Sequence, residues 1–227
     1  WLEKPAGDEI RLDNFDRATV EALLKEARGK PALGEAQTRP LLAGYGMPVI
    51  CGAMAHSADE AARVAEQIGF PVAMKIVSPD ILHKSDVGGI KLGLQDAEAV
   101  RAAYHTMMHD LSNLLPQARL EGVLIEAMAP KGQEVIIGMR RDPNFGPLMM
   151  FGLGGIYVEL FGDVSFRVAP LTRDDALEMI QQTRAGRLLT GFRGSAQADV
   201  DAVVDTLLHL SRLALDFPQI EEIEINP

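Results

Sequence analysis

Hydrophobic and polar positions repeat along this chain with two different periods, which predict separate helices and strands. Several segments place apolar residues three or four positions apart, as an amphipathic helix requires. The predicted helices are 16–28, a helix carrying Leu41 and Leu42 that ends near 44–46, 57–69, 96–115, one capped by Thr172, and 199–217. Pro40 marks the start of the second helix in this prediction, because proline is tolerated best in a first helical turn.

Short apolar or alternating runs predict the strands. They lie at 47–53, 71–77, 88–94, 120–128, 134–141, 148–153 and 220–225. The turn Ala129-Pro130-Lys131-Gly132 joins two of them with a connection of hairpin length, which predicts antiparallel pairing. Strands occur in both halves without strict alternation with helices, so we expect an α+β fold.

Composition narrows the possible functions and the compartment. The 227 residues suffice for one large domain or two small lobes, and the net charge of −10 argues against nucleic acid as the main partner. Cys51 is the single cysteine, which fits a reducing cytoplasm. No apolar run approaches the roughly 20 residues that span a bilayer, so we expect a cytoplasmic protein without a membrane partner. Because the chain begins at Trp1 and stops at Pro227 directly after a strand pattern, we expect a piece of a longer chain.

A lysine interrupts the apolar strand PVAMKIV at position 75. Burying an ammonium group is costly unless it meets a negative partner, and a phosphate oxygen would serve. Strand alternation places Met74 and Ile76 on the face opposite Lys75, so a lysine on the solvated face of an edge strand is equally consistent.

The run from His83 to Lys91, HKSDVGGIK, combines a histidine with a glycine pair. Gly88 and Gly89 would let backbone N–H groups approach a phosphate, and a loop histidine can attack phosphorus as a nucleophile. The alternative is a Gly-Gly hairpin turn beside a surface histidine.

Two further motifs favour a phosphate or metal site. The glycine-rich run FGLGGIYVE, 151–159, ends in an acid and is followed by Asp163, yet it matches neither a Walker loop nor a Rossmann fingerprint. It is either a phosphate- or partner-binding loop or a tight turn. Glu224 and Asn226 share one face of the last strand, and their oxygens suit Mg²⁺. The alternative is an acidic edge strand that faces water. Glu222 lies on the same face and is consistent with both interpretations.

The remaining histidines show no metal-ligand spacing with Cys51. His105 and His109 are four residues apart on a helix, the spacing of a pair of metal ligands, but an exposed helical face is the interpretation we favour.

The order of these motifs is more specific than any one of them. The segments PVAMKIVSPDILHKSDVGGIKLGL, KGQEVIIGMRRDPNFGPLMMFGLGGIYVELFGDVSFRVAPL and IEEIEINP, with EAQTRPLLAGYGMPV before them, resemble the ATP-grasp domain of NDP-forming acyl-CoA synthetases. The resemblance runs from about Gly34 to Pro227.

This resemblance implies an α+β, ATP-grasp fold of two lobes with mixed sheets, which grip ATP or ADP with Mg²⁺. The implied domains are an N-terminal helix and linker, 1–33, and two lobes, 34–125 and 126–227. His83 matches the position of a phosphate-carrying histidine, and Glu224 and Asn226 match metal ligands. The implied nucleotide-binding residues are Lys75, Gly88, Gly89, Lys91, Glu126, Ala127, Met128, Glu134, Gly154, Gly155 and Glu159.

The resemblance also implies an activity and a partner. It implies an acid–thiol ligase that reversibly converts acyl-CoA, ADP and phosphate to acid, ATP and CoA. A CoA-binding, alpha-type domain or subunit is the implied partner, in a homo- or hetero-oligomer, and the chain is expected to be inactive without it. The alternatives are a regulatory or degenerate ATP-grasp-like module of a protein lysine acetyltransferase, and an interaction subunit without catalysis. Gly154, Gly155 and the segment 163–167 resemble the synthetases more closely.

Overall fold

The structure is a computed structural model, and it describes most of the chain. The described residues are 15–29, 32–81, 83–155, 162–191 and 196–226. Their helices are α1 (Arg17–Glu26), α2 (Glu35–Gly44), α3 (Ala58–Ile68), α4 (Ala97–Leu114), α5 (Arg173–Gln181), α6 (Arg184–Leu189) and α7 (Val200–Asp216). Their strands are β1 (Gly52–Ala55), β2 (Val72–Val77), β3 (Ile90–Leu94), β4 (Gly122–Ala127), β5 (Val135–Asp142), β6 (Gly146–Leu153), β7 (Val164–Val168) and β8 (Glu222–Ile225).

The chain divides into two compact units, each with its own sheet. The central unit consists of Ala22–Leu41 and Val49–Pro130, and the terminal unit of Trp1–Glu21, Leu42–Pro48 and Lys131–Pro227. The central sheet has the order β1-β4-β2-β3 and the terminal sheet the order β7-β6-β5-β8, with all neighbouring strands antiparallel. Helices packed on two sheets confirm the predicted α+β class. The expected mixed sheets are wrong, because all the described strand pairs are antiparallel.

The core of the central unit lies between one face of its sheet and helices α3 and α4. Alternate residues of β2, Val72, Met74 and Ile76, are fully buried there together with helix residues such as Ala62 and Met107. Each such large apolar side chain contributes about 1.5–3 kcal/mol on burial. Because strand side chains alternate, this packing directs the residue between Met74 and Ile76, a lysine, to the opposite face of the sheet.

The terminal unit builds its core in the same way. Met149 and Phe151 of β6 are fully buried, and α7 packs against β5 and β6 with Leu207 and its neighbours inside. The Ser165 hydroxyl on β7 donates to the backbone carbonyl of Met179 on α5 at 2.8 Å, which ties the helical layer to the sheet. The opposite face of this sheet carries the polar residues of β8.

Helix caps agree with the predicted boundaries. Thr172 and Asp175 form the complete capping box at the start of α5. At α3, whose predicted start is residue 57, the Ser57 hydroxyl accepts the backbone N–H of Glu60 at 3.2 Å. The Glu60 carboxylate accepts the N–H of His56 at 2.8 Å, whereas in a complete capping box it would accept that of Ser57.

The predicted hairpin between strands 120–128 and 134–141 is wrong. The corresponding strands β4 and β5 belong to different sheets, and each pairs with other strands. Residues 129–132 therefore carry the chain from one unit into the next, since the division lies after Pro130. A short connection is compatible with a hairpin but does not specify one.

Smaller differences concern elements with weak sequence signals. Pro40 lies inside α2, which begins five residues earlier at Glu35. The first strand, predicted at 47–53, begins later and is β1, Gly52–Ala55. The pattern did not predict β7 or the six-residue helix α6. The domain boundaries at 34 and 126 stay a prediction, and Glu126 lies within β4 of the central unit.

Candidate functional site

Lys75 lies at the centre of a group of charges in the central unit. Its Nζ is 2.8 Å from Oε1 of Glu35 and 2.7 Å from Oε2 of Glu126. Glu126 also contacts the guanidinium of Arg39, and Lys84 Nζ lies 3.6 Å from Oε2 of Glu35. We call Glu35, Arg39, Lys75, Lys84 and Glu126 the lysine–glutamate cluster. The strand lysine has the negative partners that its burial requires, and they are carboxylates of the protein itself.

Sheet register explains how the strand members of the cluster meet. Ala73 of β2 pairs with Glu126 of β4, and Lys75 pairs with Leu124. Lys75 and Glu126 are therefore diagonal neighbours on one face, the face opposite the α3–α4 core.

Helix α2 supplies the other partners of this face. Glu35 and Arg39 are four residues apart, so both project from the same side of the helix. Gly52 leaves room for the guanidinium, because a Cβ at this position would collide with Arg39 and lie 2.7 Å from the carbonyl oxygen of Ile125. The sequence analysis missed Glu35 and Arg39. Opposite charges spaced i, i+4 are common on exposed helices, and nothing in the pattern aims them at a strand lysine.

The cluster favours the charged forms of Lys75 and Glu35. Burial alone lowers the pKa of Lys75, but the hydrogen bonds that its ammonium group donates to Glu126 and Glu35 raise that pKa above its ordinary value overall. Burial raises the pKa of Glu35, but the hydrogen bond and charge of Lys75, with the charges of Lys84 and Arg39, lower it overall. Three cations and two carboxylates leave one net positive charge. Nη1 of Arg39 is buried without a hydrogen-bond partner among the described residues.

His83 lies exposed at the beginning of a tight turn of the central unit. Before it, Ile81 is buried in the core; after it, the carbonyl of Lys84 accepts the N–H of Gly89 at 2.7 Å. The carbonyl of Gly89 in turn accepts the N–H of Ile76 on β2 at 2.8 Å. The candidate nucleophile is thus held between two anchored points, one residue from a member of the lysine–glutamate cluster.

The glycine pair has a role in this turn. Gly88 has φ 75°, which favours glycine, and its N–H donates to the carbonyl of Ser85 at 3.2 Å. Gly89 packs against Ile76, because a Cβ on this glycine would lie 2.5 Å from the Ile76 side chain. Both N–H groups already donate within the turn, so a phosphate contact from either of them would require these hydrogen bonds to be exchanged.

The other sequence-predicted residues of the central unit lie outside the lysine–glutamate cluster. Lys91 pairs with Met74 and therefore lies on the sheet face opposite Lys75. Ala127 ends β4, where its N–H donates to the carbonyl of Cys51 at 2.9 Å. Met128 follows with an exposed side chain. The structure brings Lys75 and Glu126 together and leaves Lys91 apart from them.

Three strand ends of the terminal unit meet at a second group of predicted residues. The N–H of Gly154 donates to the carbonyl of Glu134 at 3.1 Å, and the N–H of Gly155 donates to Oδ1 of Asn226 at 3.1 Å. The Glu134 carboxylate packs over Gly155. The structure thus groups Glu134, Gly154, Gly155 and Asn226, whereas Glu159 lies outside the described residues.

Gly155→Ala should destabilise the terminal unit by about 1–2 kcal/mol, the cost of the left-handed conformation for an L-residue. Gly155 has φ 71°, and an added Cβ would also collide with the Glu134 carboxylate. Urea unfolding would measure the change. Gly132→Ala is the matched control, because its Cβ would meet no atom within 4 Å and its φ is ordinary. Equal stability of the two variants would contradict this account of Gly155.

The last strand presents oxygen ligands on an exposed edge. Glu222, Glu224 and Asn226 are exposed and alternate with half-buried isoleucines, as predicted for one face of a strand. The Asn226 carbonyl oxygen accepts one hydrogen bond and retains a second lone pair, so it can still bind a cation. Carboxylate and amide oxygens fit Mg²⁺. Among the described residues, no group of three or more His, Cys, Asp and Glu could hold a metal.

Asp163 has a structural role at the start of α6. Its two carboxylate oxygens accept the backbone N–H groups of Arg184 at 2.9 Å and Ala185 at 3.0 Å. Those groups begin α6, where a negative charge stabilises the helix N-terminus. The sequence pattern gave no sign of α6, so this role could not be predicted.

Two other sequence predictions concern the histidines of α4 and membrane-spanning segments. His105 and His109 lie exposed on α4, as expected. In the part of the chain that the structure describes, no helix has the length and apolar character to cross a membrane.

Curated relatives match nearly the whole chain. The beta subunit of ADP-forming acetate–CoA ligase I from Pyrococcus furiosus is 48% identical over 216 residues, which cover 95% of this chain and 93% of that subunit. The ADP-forming acetate–CoA ligase I of Archaeoglobus fulgidus is 47% identical over 208 residues, which cover 92% of this chain but 30% of that protein. The chain therefore corresponds to a whole subunit in one relative and to about a third of a longer protein in another.

Solved structures of a third relative match the fold. The dinucleotide-forming acetyl-coenzyme A synthetase 1 of Ca. Korarchaeum cryptofilum, bound to coenzyme A, Ca-AMPCP and HgCl⁺, superposes with a TM-score of 0.87 at 45% identity, covering 91% of each chain. A second structure holds coenzyme A and Mg-AMPPCP, with a phosphohistidine segment pointing towards the nucleotide binding site. It has a TM-score of 0.81 at 43% identity and covers 92% of this chain and 91% of that chain.

A family model completes the comparison. The model of the ATP-grasp domain matches residues 24–227, which include both sheets and the lysine–glutamate cluster. The match confirms the predicted ATP-grasp fold. By this match and by its identity with the relatives, the chain belongs to the ATP-grasp family.

Proposed function

We propose that this chain is the nucleotide-binding and phosphoryl-transfer part of an ADP-forming acyl-CoA synthetase, an acid–thiol ligase. One observation carries the proposal. The exposed His83 directly precedes Lys84, which is ion-paired through Glu35 to the strand lysine Lys75. A candidate nucleophile and candidate phosphate-binding cations thus belong to one connected group in one unit.

The relatives support the same chemistry. The curated relatives are ADP-forming acetate–CoA ligases, and the Korarchaeum enzyme carries a phosphohistidine segment and binds a nucleotide analogue with Mg²⁺. We assign the equivalent segment here to the loop around His83, and the nucleotide to the face of the central sheet that carries Lys75. Met128, exposed directly after β4, is assigned to the adenine.

Phosphoryl transfer through His83 needs few groups. The unprotonated imidazole nitrogen attacks the γ-phosphorus of ATP, forming an N–P bond as the P–O bond to the leaving ADP breaks. The remaining ring proton is lost to solvent, which leaves a phosphoramidate. Lys75 and Lys84 neutralise charge on the phosphate oxygens during transfer. The reverse reaction returns the phosphoryl group to ADP.

In the terminal unit, Glu224 and Asn226 would hold Mg²⁺, which neutralises phosphate charge when bound. The hydrogen bond from Gly155 to Asn226 orients the amide oxygen, and Glu134 lies against the same glycine. We therefore propose Glu134, Gly154 and Gly155 as the nucleotide-binding residues of the terminal unit.

The CoA and acid steps require a second part. The Pyrococcus relative is named as a beta subunit, whereas the Archaeoglobus relative is a protein about three times the length of the matched segment. We propose a CoA-binding domain or subunit as the partner, within an oligomeric enzyme. This chain alone would bind nucleotide without joining an acid to CoA.

Lys75→Ala should weaken Mg-ADP binding by about 1–3 kcal/mol, the cost of a lost charge-assisted hydrogen bond. Isothermal titration calorimetry of the 227-residue chain would measure the affinity, with circular dichroism to verify folding. Lys25→Ala, an exposed lysine in the last turn of α1, is the control and should leave the affinity unchanged. The same affinity for Lys75→Ala and wild type would return Lys75 to a purely structural role.

A further inference from the structure

The two carboxylates of the lysine–glutamate cluster are held in different ways. The side chain of Glu126 is 3% exposed and contacts Arg39 and Lys75 from within a central strand. The side chain of Glu35 is 35% exposed and projects from the first residue of α2. Glu126 is therefore a fixed negative partner of the two cations. A ligand can reach the Glu35 carboxylate, and this side chain can move away from the lysines without leaving a cavity in the core.

Glu35 bridges two lysines in the manner of a small anion. One of its oxygens lies 2.8 Å from Lys75 Nζ, and the other lies 3.6 Å from Lys84 Nζ. A phosphate group offers the same arrangement, with separate oxygens of one anion for separate ammonium groups. The carboxylate also links the strand lysine to the residue next to His83.

The charge balance of the cluster allows a phosphate group to replace the Glu35 carboxylate. With Glu35 in place, the cluster has one net positive charge from three cations and two carboxylates. When Glu35 withdraws, two net positive charges remain, and a bound phosphate can compensate them. A polyphosphate and the Glu35 carboxylate therefore compete for Lys75 and Lys84.

We propose that Glu35 is a positioning residue of the phosphate site, which holds Lys75 and Lys84 together until phosphate oxygens of the nucleotide displace its carboxylate. The proposal rests on the nucleotide site proposed above. Glu35 pairs with the two lysines while no phosphate is bound, and its competition for them lowers nucleotide affinity.

The test is the affinity of the 227-residue chain for Mg-ADP and Mg-ATP, measured by isothermal titration calorimetry on wild type and Glu35→Gln. We expect Glu35→Gln to bind about three- to tenfold more tightly, because the nucleotide no longer has to break two partly exposed ion pairs. A merely structural role for Glu35 predicts the opposite sign, since losing a support of the site weakens binding.

Two variants serve as controls. Asp59→Asn removes one acid from the same unit, where Asp59 pairs with Arg101 at 2.8 Å, and should change the affinity less than twofold. Glu35→Asp keeps the charge and should bind no more tightly than wild type. In a Lys84→Gln background the effect of Glu35→Gln should shrink, because one of the two competing contacts is already gone.

The outcomes separate this inference from the proposed function. If the wild-type chain binds neither Mg-ADP nor Mg-ATP, the proposed function is overturned, and this inference with it. Wild-type binding together with equal or weaker binding by Glu35→Gln would overturn the inference alone. Equal tightening by Asp59→Asn would also overturn it, because a general charge effect would then explain the gain.

Discussion

Replacing His83 with alanine or asparagine should abolish turnover in the enzyme assembled with its CoA-binding partner. Alanine removes the ring, and asparagine retains hydrogen bonding but has no nucleophilic nitrogen, so neither can form the N–P bond. Nucleotide binding should persist, because the lysine–glutamate cluster remains. The expected result is loss of acyl-CoA formation with a near-normal affinity for Mg-ADP, measured by a coupled assay and by calorimetry.

His105→Ala is the matched control for this loss. His105 is exposed on α4 of the same unit, so its removal should leave turnover unchanged. Near-normal turnover of either His83 variant would make His83 an ordinary turn residue, and phosphoryl transfer would have to use a different group.

Glu126→Ala should lower the free energy of unfolding by about 3–5 kcal/mol, because removing one partner of a buried ion pair leaves uncompensated charge. Glu126 is only 2% exposed and is the shared partner of Arg39 and Lys75. After the substitution, Arg39, whose Nη1 already lacks a partner in the described residues, would lose its carboxylate contact. Urea denaturation followed by circular dichroism would measure the loss.

Two comparisons make the Glu126 result specific. Glu98→Ala removes an exposed ion pair with Arg101 on α4 and should cost less than about 1 kcal/mol. The triple variant Arg39→Met, Lys75→Met, Glu126→Leu replaces the charges by apolar groups and should recover most of the loss. A cost below about 1 kcal/mol for Glu126→Ala would mean that water reaches this carboxylate.

The fold class and most helices could be predicted because their patterns are local. The caps Ser57, Asp96 and Thr172 lie at the predicted starts of their helices, since a cap depends on residues within one turn. Strand partners are not local in this sense. The segment 129–132 has the length of a hairpin, yet β4 pairs with β1 and β2 because the chain passes into a second unit there.

The candidate site was only partly predictable for the same reason. Strand alternation indicated that Lys75 faces away from Met74 and Ile76, and the structure places it there. The partners of Lys75 come from 40 residues before it and 51 residues after it, and no spacing rule connects such positions. The motif order identified the family, which the match over residues 24–227 confirms. The bridging position of Glu35 follows only from the packing of α2 on the sheet.

The most direct measurement is transfer of ³²P from γ-labelled ATP to the chain in the presence of Mg²⁺ and the CoA-binding partner. The account predicts label on the peptide that contains His83, labile to acid and stable to base, as expected of a phosphoramidate, and no label from α-labelled ATP. ADP should remove the label and regenerate ATP. Acid-stable label on Ser85, or turnover without any label on the His83 peptide, would contradict the account.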